Sequence, residues 1–468
     1  MAGTTLQKQT RERVEELISG LRSRGIGQLP TEVELTERFG VGRNTLRAVV
    51  NELEATGMLQ RIQGKGTFIV GKEATLRFSS YVPGEIPSKS AFERMILTFQ
   101  EKHPWREVET VAYPHSQYAM KVRQDVSRGL APDVIQIAPY WLQRFRNLGI
   151  IRQLDEFEIA SNLTRRFSKD IESCRVGDEI YALNWGLAPL VLYYNSEILE
   201  RAGRKPPQTL DELYDAAVSV NGLGQKDLRG ICLPLDPYEA NFMWLYPFLL
   251  AFEGGFSDSI GNTMINTEQN VRALEWLRCL NRDGGYEESK TISDARILFA
   301  TGHLAFIVDG PYGRGFYRNI SQLGTCFDRR YGVTTIPVGP SGRSESMLLA
   351  HSLTISTQCR DIESAYAWID HLTTDEENAW RYFRESGMIP ALRDILHKPF
   401  FYNDPFASVL IRQIETATPS ALKHPLFSRM LPYAATILSE AVSGHRAIQT
   451  SLELLEDIVR VSTRIGAI

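Results

Sequence analysis

Arg43, Asn44, Arg47 and Asn51 share one side of a short segment whose other side is Leu46, Val49, Val50 and Leu53, spaced i, i+3, i+4, i+7. Polar, partly basic groups on a helix anchored by its apolar side are suited to reading another molecule. A guanidinium in particular offers guanine two parallel donors. Downstream, Gln63-Gly64-Lys65-Gly66 separates the strand-like runs MLQRI and TFIV, and glycine there lets backbone approach a partner closely. Much further on, Ser80-Tyr81 and Pro139-Tyr140-Trp141 follow apolar runs at positions where parallel sheets bind ligands.

The elements that must hold these groups are legible. Val14, Leu17, Ile18 and Leu21 give a first helix over Arg11–Leu21. Thr31 and Glu34 form a T-x-x-E capping box that starts a second helix near Thr31, and Gly40 stops it. The recognition segment is the third helix, closed by Gly57, and the MLQRI/TFIV ribbon makes a wing. Helix, helix, turn, helix and β-wing is a winged helix-turn-helix. Beyond GKEAT the pattern changes. LRFSSYV, REVETVAY and DVIQIA read as strands, alternating with helical SAFERMILTFQEKH and a helix around YAMKVRQDVSRG. That order predicts a largely parallel sheet covered by helices.

At 468 residues the chain exceeds one ordinary domain. Its net charge of −4 marks neither nucleic acid nor membrane as partner, but the balance is uneven. Residues 1–75 carry 11 Lys+Arg against 9 Asp+Glu, leaving 41 against 47 for the rest, which permits a DNA role for the N-terminus. Five scattered cysteines without a CxxC pair argue against a disulfide framework or zinc site, and suit a reducing compartment. With no signal-like or membrane-length apolar run, a cytoplasmic protein without membrane association is expected. G-x-S-x-G, H-E-x-x-H and P-loop motifs are absent, so no enzyme is expected, and neither metal nor cofactor.

The stretch LPTEVELTERFGVGRNTLRAVVNELEATGMLQRIQGKGTFIV resembles the GntR family of bacterial regulators, through LP-[ST]-E, R-x-T-[LV]-R and G-K-G-T in order. The resemblance implies a homodimer on a palindromic operator. Arg43, Asn44 and Arg47 would face bases and phosphates, Thr45 a phosphate, and Lys65, Gly66 and Thr67 of the wing the minor groove. Val33 departs from the pattern, standing where the family usually places a DNA-contacting arginine.

From about residue 76 onward the chain resembles type II periplasmic solute-binding proteins of the carbohydrate group. RGLAPDVIQIAP, GDEIYALNWGLAPLVLYYNSEIL, FATGHLAFIVDGPYGRG and SGMIPA occur in the family's order. The resemblance implies a fold of two α/β lobes with ligand between them. It places Tyr140, Trp141, Trp185, Asp236, Tyr238, Trp244, Asp309, Tyr312 and His351 at the cleft, and Tyr81 joins them by its place at a strand end. Asn184 and Ala188 depart from the maltose-binding pattern, the latter standing where an acidic residue is usual. Trp276, Trp368 and Trp380 sit at helical spacing with apolar neighbours and are expected in the core. The expected division is a winged-helix domain over 1–72, a hinge at 73–76, and a two-lobed sensor over 77–468.

The combined expectation is a regulator whose operator binding is governed by a small molecule, a mono- or oligosaccharide. Two rivals stand beside it. A GntR regulator with an aminotransferase-like domain would hold pyridoxal phosphate on a lysine, for which no site is evident. A transport-type solute-binding protein would lack the DNA-reading head.

Overall fold

The computed structural model describes residues 5–22, 26–56, 58–69, 73–81, 89–103, 106–155, 173–238, 241–257, 263–286, 290–418 and 427–465. Helices α1 (Thr5–Arg22), α2 (Glu32–Phe39) and α3 (Arg43–Ala55) precede a ribbon of β1 (Leu59–Ile62) and β2 (Gly66–Ile69). The capping box is formed as the spacing demanded: Thr31 accepts from the Glu34 N–H and Glu34 accepts from Thr31. Gly40, left-handed at φ 66°, ends α2. Gly57, the expected stop of α3, lies outside the described residues, and Thr56 caps the helix. Val14, Ile18, Leu35, Leu46, Val49 and Leu53 close a core belonging to this unit alone.

After β2 only three residues intervene before β3 (Glu73–Ser80). The expected hinge at 73–76 is therefore already strand, although the pairing with the next strand shifts register between Glu73 and Leu76. α4 (Lys89–Lys102), β4 (Arg106–Ala112), α5 (His115–Ser127) and β5 (Val134–Ile137) follow, with β3 parallel to both β4 and β5. This is the β-α-β-α-β order expected from sequence.

The chain then crosses to a second lobe. β6 (Leu183–Pro189) belongs to the first sheet, and β7 (Val191–Asn195), one residue later, to the second. The second sheet is completed by β8 (Arg229–Ile231), β9 (Leu304–Asp309) and β10 (Tyr331–Thr334), in the order β8-β9-β7-β10. Helices α6 (Phe242–Ala251), α7 (Ile292–Ala300) and α8 (Gly313–Ile320) serve this lobe. β11 (Ser346–Ile355) returns to the first sheet, which reads β12-β6-β11-β5-β3-β4 once α9 (Glu376–Ser386) and β12 (Ile389–Pro390) are added. Trp368 is fully buried, while Trp276 and Trp380 pack partly buried against the core. No helix among the described residues is long and apolar enough to cross a membrane.

Gly387 ties the end of α9 to the second lobe. It is left-handed at φ 79°, and a Cβ there would lie 2.1 Å from the Pro311 carbonyl oxygen, next to Tyr312. Gly387→Ala should therefore lose about 1–3 kcal/mol from backbone conformation alone, with more from the clash. Denaturant unfolding of both proteins measures it.

Candidate functional site

Two sites emerge. On the winged helix, Arg43, Asn44 and Arg47 are exposed along α3 and Thr45 is half-buried. At the ribbon's turn Lys65 and Gly66 are exposed, with Thr67 partly covered. Gly64 and Gly66 hold φ of 77° and 118°, which is why glycine is needed there. Gln28 donates to the Lys65 carbonyl at 2.8 Å, fixing the wing tip against the chain before α2. The Arg47 guanidinium is not idle, since its Nε donates to Glu32 at 2.8 Å. Val33, where the family pattern has arginine, is 47% exposed in the first turn of α2.

The second site is a cavity of about 350 Å³ between the lobes. The first lobe contributes strand ends. Tyr81 follows β3, His115 and Ser116 open α5 after β4, and Tyr140 follows β5. The second lobe contributes Tyr238, Trp244, Arg296, Tyr312 and Phe316 from the segments after β8 and β9 and from α7. His351 and Ala188 come from the crossing strands β11 and β6. Thus Tyr81, Tyr140, Tyr238, Trp244, Tyr312 and His351 are brought together as expected from sequence.

Four expected residues do not reach the cavity wall. Trp185 is the extra residue of a bulge: His351 pairs with Gly186 but Ser352 pairs with Asn184. It is buried and stacks on Tyr382 with ring centroids 4.3 Å apart, and Tyr382's hydroxyl meets His351 Nδ1 at 2.6 Å. Trp185 therefore backs His351. Trp141 lies beneath His115, stacked at 5.2 Å, and on Tyr118 at 5.6 Å. Adjacent residues of the 3₁₀ turn Pro139–Trp141 send Tyr140 to the cavity and Trp141 to the core. Asp236 is held by the Asn241 side chain, whose Nδ2 also donates to its carbonyl at 2.8 Å, and braces the turn before α6.

Asp309 is wholly buried. It accepts from Arg296 Nε and Nη2, from the Tyr317 hydroxyl and from the Gly310 N–H, all at 2.8 Å. Burial weighs against the Arg296 cation, but the charge and hydrogen bonds of Asp309 outweigh it, so its pKa is raised. The guanidinium is also packed over the rings of Tyr312 (5.2 Å) and Phe316 (4.4 Å). Asp309 thus acts through Arg296, which lines the cavity in its place.

Sequence reasoning missed Arg296 and His115. His115 had a signal, since it stands at the carboxyl end of a parallel strand, the rule that found Tyr81 and Tyr140. Its Nδ1 meets the Tyr238 hydroxyl at 2.9 Å and its Nε2 the Tyr140 hydroxyl at 3.2 Å, linking the lobes across the cleft. Arg296 had none beyond being a cation on a helix. Among the described residues no three His, Cys, Asp or Glu side chains converge as a metal set.

Burial pushes the imidazoles of His115 and His351 down to about 4 and about 3. An unfolded histidine titrates near 6.5. As pH falls from about 6.5 toward 4 the unfolded chain takes up protons that the folded cleft refuses, so folding stability declines across that window. The melting temperature should fall from pH 7 to 4.5. In His351→Gln the fall should be shallower, and the difference between the two proteins isolates the histidine from the carboxylates.

Comparison with known proteins bears on both sites. A model of bacterial extracellular solute-binding proteins matches residues 94–407. A model of bacterial regulatory proteins of the gntR family matches residues 6–69. The chain is 24% identical over 348 residues to the maltodextrin-binding protein of Bacillus subtilis, covering 72% of this chain and 78% of that one. It is 36% identical over 87 residues to a probable fructoselysine utilization operon transcriptional repressor of Shigella flexneri, covering 18% of this chain and 35% of the repressor. In fold it is similar to an ABC transporter solute-binding protein from Thermotoga lettingae bound with α-D-tagatose. There the TM-score is 0.73 and the identity 19%, covering 83% of this chain and 99% of that one. The chain belongs to the bacterial extracellular solute-binding protein family and carries a gntR-family domain at its N-terminus.

Proposed function

We propose that this protein is a cytoplasmic transcription regulator whose binding to operator DNA is set by a carbohydrate held between the two lobes. The observation that carries the reading is the joining, in one chain, of a DNA-reading winged helix to a cleft walled by aromatic rings. Aromatic faces cover the C–H patches of sugars, while hydroxyls, imidazoles and a guanidinium meet their oxygens. Neither family is an enzyme family, and the relatives named above bind maltodextrin, bind tagatose or repress a sugar-derivative operon by their descriptions.

The mechanism follows from the cross-lobe contact. A ligand that closes the lobes adds to the His115–Tyr238 link, and its effect on DNA equals its differential affinity for the two lobe arrangements. β3 carries that change toward the wing, because Tyr81 stands just past one end and β2 ends three residues before the other. The reader is a homodimer on a palindromic operator, each α3 in a major groove and each wing tip at a minor groove.

DNA fragments selected from a random pool by the full-length protein test this, with binding measured with and without the sugar that raises its melting temperature. Equal affinity under both conditions would sink the regulatory reading. Arg43→Ala should cost about 1–3 kcal/mol and relax preference at one base pair, whereas Lys65→Ala should weaken all sequences alike and reduce the salt slope by about 1.

A further inference from the structure

The polar groups on the cavity wall are unevenly matched. Among the described residues that line it there is no aspartate, glutamate, asparagine or glutamine, and Ala188 and Ala138 face it from β6 and the end of β5. The acceptors are the hydroxyls of tyrosines and serines and histidine nitrogens. A neutral sugar presents several hydroxyl protons, and such a wall offers none of them a charged acceptor.

Donors are plentiful by contrast. Arg296 gives Nε and Nη2 to Asp309 and leaves Nη1 without a protein acceptor among the described residues. Asp309 has no exposure, so the cavity meets the guanidinium and not the carboxylate. The Trp244 indole Nε1 is buried without a hydrogen-bond partner, in a residue only 6% exposed that lines the same cavity. A buried donor left unmade is costly, and a small rotation of the indole that turned this N–H into the cavity would let a ligand acceptor resolve it.

The backbone adds to this. α5, α6 and α8, of 13, 10 and 8 residues, each bring their first turn or N-cap to the cavity through His115, Trp244 and Tyr312. None of the three has a side-chain cap. Their dipoles therefore direct positive potential into the cleft, where an anion is favoured.

We propose that the solute is an acidic carbohydrate, a sugar bearing a carboxylate or phosphate, whose oxyanion is held by Arg296 Nη1 and the Trp244 indole N–H. This rests on the carbohydrate reading of the cleft and narrows it. Arg296 and Trp244 are the specificity-determining residues. Among the described residues of the wall no carboxylate stands ready to balance an ammonium, which disfavours amines beside Arg296.

Calorimetric titration and thermal unfolding of the full-length protein at pH 7.5 test the proposal. The probes are D-glucose, D-glucuronate, D-glucose 6-phosphate and D-glucosamine, the matching D-galactose series, and maltose, D-mannitol and D-tagatose. An acid or phosphate is expected to bind at least about tenfold more tightly than its neutral parent. The uronate and phosphate arms distinguish the source of the oxyanion. A neutral sugar binding as tightly as its acidic derivatives overturns the acidic class but leaves the carbohydrate reading standing. No binding by any probe overturns both.

Trp244→Phe keeps the ring and removes the N–H. It should weaken the acid by about fivefold to tenfold while changing a neutral sugar little. Arg296→Gln alone would strand the buried Asp309 carboxylate. The double variant Arg296→Gln/Asp309→Asn keeps the site neutral and should lose the acid preference. Retention of that preference in a folded double variant would also overturn the proposal.

Discussion

The carboxylate of Asp309 has no exposure at all, and the second lobe's half of the cleft is arranged around answering it. An ion taken wholly out of water costs several kcal/mol unless its lone pairs are met. Here four donors meet them from α7, α8 and the turn after β9. Meeting that demand fixes Arg296 against the rings of Tyr312 and Phe316 and ties down the Tyr317 hydroxyl. The wall is thus rigid for a reason unconnected with ligand. What remains for ligand is the outer edge of the guanidinium, already oriented, so little conformational freedom is lost on binding.

The first lobe uses another device. Its parallel strands deliver Tyr81, His115 and Tyr140 at their carboxyl ends, an outcome of topology. The crossing strands cannot do this, because both run through the interior. A bulge at Trp185 changes the register so that His351 lines the cavity, with Tyr382 and the Trp185 ring behind it. Rings stacked behind a hydrogen-bonded histidine hold it more firmly than a loop would.

These two devices explain what the sequence could and could not reveal. The winged helix was legible almost residue by residue, since capping boxes, helical apolar spacing and glycine turns act over a few residues. The parallel order of β3, β4 and β5 was legible from alternation of element types. Cavity residues placed by strand ends, such as Tyr81 and Tyr140, were likewise within reach. Asp309 and Trp185 lie in the expected neighbourhood but stand behind the cavity wall, on Arg296 and Tyr382. A carboxylate at a strand end looks the same in sequence whether it meets solvent, ligand or an arginine 13 residues earlier. A bulge leaves no mark in the local pattern. Arg296 was invisible because its meaning lies wholly in that pairing. The hinge expected at 73–76 followed from a change in composition, yet hydrogen bonding to Arg106 and Val108 draws those residues into the sheet.

β3 has one more implication. Its eight residues span about 26 Å at the usual rise of a strand. A DNA reader ending in an edge strand and a solute receptor beginning with a strand can be spliced with only a tripeptide between them, needing no separate transmission module. Such a join makes the architecture combinatorial. On the function proposed above, exchanging the receptor would re-address the regulator to a different solute while the DNA-reading surface proposed for α3 and the wing stayed as it was.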